Sequence, residues 1–137
     1  MHHELIASAL AVKIGHELNP EFKIGCMVLG VPNYPLTPNP RDVIKALEHD
    51  RENFFFADVH VRGEYPSYMK RVFKENNIEI KMEPGDKEIL KNTVDFISFS
   101  YYMSACVTAD PEKNKKGAGN LIVGVKSSTI PIILPLK

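Results

Sequence analysis

Apolar positions recur along this chain with helical spacing in some stretches and in short unbroken runs in others. Over His2–Leu18, Leu5, Ile6, Ala9, Leu10 and Ile14 fall mostly at i, i+4 and i+5, and Asn19-Pro20 stops the pattern. That predicts a helix. Residues 22–29 (FKIGCMVL) form a short apolar run between turn formers. A run of this kind predicts a strand buried on both faces, as in parallel sheets. Residues 30–40 then carry Pro32, Pro35, Pro38 and Pro40, which predicts a long loop without regular structure. In α/β folds, loops leaving the C-terminal ends of strands are where function concentrates.

Asn39-Pro40 opens the next helix with a cap, a proline at the first helical position and Asp42 in the first turn. Val43, Ile44, Leu47, Phe54 and Phe55 supply its expected apolar face. A break follows at residues 63–66 (GEYP), then an amphipathic helix over 67–76 on Tyr68, Met69, Val72 and Phe73. Pro84-Gly85-Asp86 starts a short helix reaching Lys91. Residues 94–102 (VDFISFSYY) are β-branched and aromatic and predict the second clear strand. Residues 103–120 turn polar and lysine-rich and predict a surface loop. Residues 121–137 are apolar and broken by proline. Two strands cannot make the sheet that these helices need to pack on, so the pattern points to part of a larger α/β architecture.

Composition narrows the classes. The chain has 137 residues, 17 Lys+Arg against 17 Asp+Glu, with 44% hydrophobic and 25% charged residues. These are soluble-globular values, for a single domain. The charge balance argues against electrostatically driven nucleic-acid binding. No apolar run approaches the ~18 residues of a membrane span, and no secretion signal opens the chain. Cys26 and Cys106 are too few for a disulfide framework, so a cytoplasmic setting is expected.

Most chemical motifs fail on inspection. His3-Glu4 begins like a zinc-protease helix, but position 7 is alanine, and no metal site or cofactor is expected. Gly25 and Gly30 have phosphate-loop spacing, but Val31-Pro32 follow where Lys and Ser/Thr are required. Cys26 reads as core, and Cys106 has no cationic neighbour to activate it. Asp58, Glu64 and Glu112 read as solvated or capping acids rather than a catalytic carboxylate pair, and Asp95 as a turn or edge residue. Ser100-Tyr101-Tyr102, at the end of the second strand, stands out. Alternation puts Ser100 and Tyr102 on one face and Tyr101 on the other. From spacing alone, core aromatics with satisfied hydroxyls remain the simpler reading.

The segments HHELIASALAVKIGHELNP, ENFFFADVHVRGEYP and DFISFSYY resemble family 1 glycoside hydrolases, and within them the bacterial 6-phospho-β-glucosidases. The resemblance runs over about residues 2–125. It implies an α/β fold, a partial (β/α)8 TIM barrel covering the helix after strand four through strand six. Residues 1–137 are then a single incomplete segment, with a divergent tail at 126–137. It also implies the reaction: retaining hydrolysis of a phosphorylated β-glucoside by two glutamates. Both glutamate-bearing segments, Asn-Glu-Pro and Glu-Asn-Gly, are missing here, as is the cluster that holds the sugar 6-phosphate. No catalytic residue is therefore expected, and the chain alone is expected to be inactive.

The resemblance makes Tyr102 the residue that orients the nucleophile in relatives. Ser100 stands where many members carry Asn, and the 6-phospho subgroup often has Ser. Both are the expected substrate-binding residues. The tail, which departs from the family at KSSTIPIILPLK, has the look of a frameshift or truncated reading frame. A whole barrel needs about 250 residues, so exposed strand edges and self-association are expected. The alternative is a small non-catalytic α/β interaction or assembly protein derived from the barrel.

Overall fold

The computed structural model describes residues 1–113. Its elements run α1 (His2–Leu18), β1 (Gly25–Gly30), β2 (Asn33–Pro35), α2 (Pro40–Arg62), α3 (Ser67–Glu75), α4 (Asp86–Leu90), β3 (Phe96–Tyr101) and β4 (Ala105–Val107). They divide into two compact units. One comprises residues 1–29 with 53–100; the other, among the described residues, comprises 30–52 with 101–113.

The first unit has the main apolar core. Leu5 of α1, Phe55 and Val59 of α2, Met69 of α3 and Leu90 of α4 are buried together. Tyr65, Tyr68, Val72 and Phe73 pack against them. Phe73 stands edge-on to both Phe55 and Tyr65, with ring centroids 6.5 and 5.9 Å away. This is a favoured aromatic geometry, because ring edges are positive and ring faces negative. Arg62 ends α2, and Gly63 turns the chain with φ +70°. A Cβ at Gly63 would lie 2.8 Å from the Leu90 carbonyl oxygen and 2.9 Å from Lys91 Cα. Only glycine fits both the left-handed backbone and that approach.

Beside this core β1 pairs with β3. Asp95 anchors the pair at its start. Its Oδ2 accepts from the Ile24 backbone N–H and contacts His16 Nε2, both at 2.9 Å. These contacts bind the end of α1, the approach to β1 and the start of β3 through one carboxylate. The expected burial of β1 on both faces is not found: Met27 is 65% exposed and Leu29 46%. Among the described residues no third strand joins this sheet.

In the second unit β2 and β4 run parallel, with Asn33, Tyr34 and Pro35 opposite Ala105, Cys106 and Val107. The proline-rich stretch thus contains a strand, and the expected surface loop contains its partner. Prolines are tolerated because this pairing uses carbonyls and N–H groups beside them: Ala105 N–H donates to Pro32 O, and Leu36 N–H to Val107 O. Ala105, Cys106, Val107 and Thr108 are all buried. Three-residue strands are too short to show an alternation pattern.

The expected face of α2 holds at Phe55, which is buried, and is corrected in the first half of the helix: Val43, Ile44 and Leu47 are exposed, and Asp42 and Ala46 are buried instead. The buried carboxylate of Asp42 is what turns that face inward, because it collects hydrogen bonds from two loops. The tail at 126–137 and the stretch at 121–137 lie outside the described residues.

Candidate functional site

β3 carries the residues singled out from sequence. Ser100 is half-buried near its end, and its hydroxyl lies 3.3 Å from the thioether sulfur of Met27 on β1. Sulfur is a weak acceptor, so this contact leaves the hydroxyl available for a stronger partner. The strand ends at Tyr101, one residue earlier than the sequence pattern suggests. Tyr101 is half exposed and shares a 3.0 Å hydrogen bond with Ser104 Oγ. Tyr102 follows immediately. Its side chain is 79% exposed and has no hydrogen-bond partner among the described residues. The expected reading as satisfied core aromatics therefore fails for Tyr102. Ser100 belongs to the first unit and Tyr102 to the second.

In the second unit a cavity of about 440 Å³ opens where the chain leaves β2 and β4. Asp42 lies in its wall. Thr37 Oγ1 donates to its Oδ2 at 2.7 Å, and Thr108 Oγ1 and the Ala109 N–H donate to its Oδ1 at 2.8 Å each. These donors, the Ala109 N–H first and Thr37 next, hold the Asp42 carboxyl below the usual carboxylate range. Asp42 is thus an ionised anchor joining the two loops, not a proton donor near neutral pH. Arg41, Asn39 and the Lys113–Asp110 ion pair complete the rim.

The first unit holds a polar network that sequence reasoning missed. His2 is 9% exposed; its Nδ1 lies 3.0 Å from the Tyr65 hydroxyl and its Nε2 2.9 Å from Asp86 Oδ2. Asp86 also accepts from the Glu83 N–H at 2.7 Å. The His2 hydrogen bond, then the Glu83 N–H, lower the Asp86 carboxyl. Burial, with the Asp86 charge adding to it, raises the Tyr65 phenol. No local spacing signals the pairing of His2 with Asp86, which are 84 positions apart.

The remaining acids and thiols take structural places. Asp58 bonds Arg62 Nε at 3.1 Å and the Tyr68 hydroxyl. Cys26 is half-buried rather than core, and burial pushes its thiol up, away from thiolate character. Among the described residues no three His, Cys, Asp or Glu side chains are grouped to hold a metal ion.

A model of glycosyl hydrolase family 1 matches residues 1–129. The chain is 71% identical over 125 residues to a 6-phospho-beta-glucosidase of Clostridium longisporum, covering 91% of this chain and 26% of that protein. It is 51% identical over 131 residues to the 6-phospho-beta-glucosidase AscB of Escherichia coli, covering 96% and 28%. The chain thus spans about a quarter of the length of these relatives. The family 1 beta-glucosidase from Thermotoga maritima superposes with a TM-score of 0.66 at 25% identity, over 80% of this chain and 25% of that one. A beta-glucosidase from Exiguobacterium marinum gives 0.67 at 24% identity, over 81% and 26%. The described elements are a partial α/β arrangement of the barrel these enzymes share.

Proposed function

The chain belongs to glycosyl hydrolase family 1, and from that premise we propose that it is the segment of a 6-phospho-β-glucosidase running from the helix after barrel strand four to strand six. In this reading α1 is that helix, β1 is strand five and β3 is strand six. The enzyme hydrolyses phosphorylated β-glucosides with retention, using two carboxyl groups about 5–5.5 Å apart. This segment supplies neither carboxyl group. Ser100 and Tyr102 contribute at the substrate side, the exposed phenol of Tyr102 donating a hydrogen bond that orients the nucleophilic carboxylate. The work of the segment is positioning, which catalysis rewards when it is realised in the transition state. Its setting is the cytoplasm; among the described residues no helix is long and apolar enough to cross a membrane.

The observation that carries this reading is the 71% identity sustained over 125 residues to one 6-phospho-beta-glucosidase. The test has two arms. The purified chain, given a chromogenic 6-phospho-β-glucoside, is expected to show no turnover, since losing an essential member of a catalytic unit costs several orders of magnitude. Grafted in place of the matching segment of the Clostridium longisporum enzyme, residues 1–125 are expected to support hydrolysis. A folded but inactive graft, or sustained turnover by the chain alone, overturns the proposal.

A further inference from the structure

The first unit contains a second cavity, of about 380 Å³, at the start of the segment leading into β3. That is within the roughly 300–1,000 Å³ of small-molecule sites. Its floor is apolar and fixed: Leu90 is 4% exposed, and Gly63 is held against Leu90 and Lys91 by its left-handed backbone. Tyr65 forms a wall, with its ring edge-on to Phe73 and its hydroxyl tied to His2. The Val94 N–H donates to His60 O at 3.1 Å and holds the chain leaving α4 against the end of α2. These contacts fix the backbone around the cavity.

Its rim carries three lysines and two glutamates, a net excess of one positive charge. Lys70 from α3, Lys87 from α4 and Lys91 border it, against the carboxylates of Glu64 and Glu88. Lys91 is committed to Glu88, with Nζ 2.9 Å from both carboxylate oxygens. Among the described residues Lys70 and Lys87 enter no ion pair. Asp86, the nearby buried carboxylate, faces away into His2 and the Glu83 N–H. Lys70 and Lys87, on different helices, therefore line one cavity together with Leu90 and Tyr65, and neither has an ion-pair partner among the described residues.

We propose that this cavity binds a small anion with an apolar body, a phosphate monoester of a hydrophobic or aromatic alcohol. The anionic group sits between Lys70 and Lys87, and the apolar body lies on Leu90 and against Tyr65. The binding does not depend on the barrel reading. Exposed lysines act through Coulomb attraction that salt screens, so binding weakens with ionic strength, whereas the apolar contact does not.

The test titrates phenyl phosphate into the 15N-labelled chain at low salt. Saturable shifts are expected at the amides of Gly63, Tyr65, Lys87 and Lys91, with inorganic phosphate moving the same amides more weakly. The double variant Lys70→Gln/Lys87→Gln is expected to bind at least tenfold more weakly with an unchanged far-UV spectrum. The control Lys13→Gln/Lys45→Gln, which removes the same charge elsewhere, is expected to stay within about twofold. The proposal is overturned by any of three results: no saturable shift, equal weakening in both double variants, or phenol binding as tightly as phenyl phosphate.

Discussion

Tyr102 and Tyr101 are adjacent in sequence but differ in what their hydroxyls can do. Tyr101 already shares its hydroxyl with Ser104, whereas Tyr102 is 79% exposed with an uncommitted phenol. In the intact enzyme, Tyr102→Phe is expected to lower kcat roughly ten- to a hundredfold, the loss of one charge-assisted hydrogen bond. Tyr101→Phe should act mainly on packing. Steady-state kinetics of both variants decide this, and equal losses would shift the strand register by one. At Gly63 the constraint is steric. Gly63→Ala must adopt φ +70° with a methyl 2.8 Å from the Leu90 oxygen. About 2–3 kcal/mol of stability should be lost, read as a lower urea midpoint at unchanged slope. A midpoint within error of the parent would mean that the α2–α4 approach relaxes freely. The role expected of Tyr102 came from the resemblance, while the steric demand at Gly63 could not be read from sequence. A turn glycine is visible there, but the oxygen it must avoid is not.

Among the elements, α1 and α4 are joined by the His2–Asp86 contact, while α2 carries His60 partly buried. The two respond to acid in different windows. Asp86 has its folded pKa lowered, first by His2 and then by the Glu83 N–H. Its contribution is complete above the ordinary value of about 3.9 and is lost as pH falls through the depressed one. His60 is lowered by burial. The unfolded chain then protonates first, so stability falls as pH drops below about 6.5 and stops falling once the folded imidazole titrates. The urea midpoint should therefore decline in one step below about pH 6.5 and in another below about pH 4, where Asp42 and Asp95 add to Asp86. His60→Gln should abolish the upper step alone; its persistence would place that step on another histidine. Helix positions were legible because their apolar spacing and caps are local. β2 and β4 were not, because three residues hold no period, and the proline-rich and lysine-rich stretches that contain them resemble loops.

For the whole molecule, the two-stranded β1–β3 sheet leaves Met27, Leu29, Phe96 and Phe99 exposed. Unpaired strand edges and apolar faces promote association. The chain by itself should therefore sediment as dimers or larger species at micromolar concentration, and a monodisperse monomer with cooperative unfolding would refute the edge argument. Sequence by itself determined the helices, the two longer strands and the family, since each rests on local periodicity or on long runs of matching residues. It also placed Ser100 near the end of a strand, whereas Tyr102 falls one residue beyond the end of β3, because strand termini are set by pairing rather than by local pattern. Only the tertiary structure decided which face of the first half of α2 is buried. Val43, Ile44 and Leu47 were the apolar choice, yet Asp42 turns inward because Thr37, Thr108 and the Ala109 N–H satisfy its charge there. It alone decided that His2, Tyr65 and Asp86 meet, and that Lys70 and Lys87 border one cavity. Partners far apart in the chain leave no trace in its local pattern; a buried charge is tolerated only where folding brings donors to it.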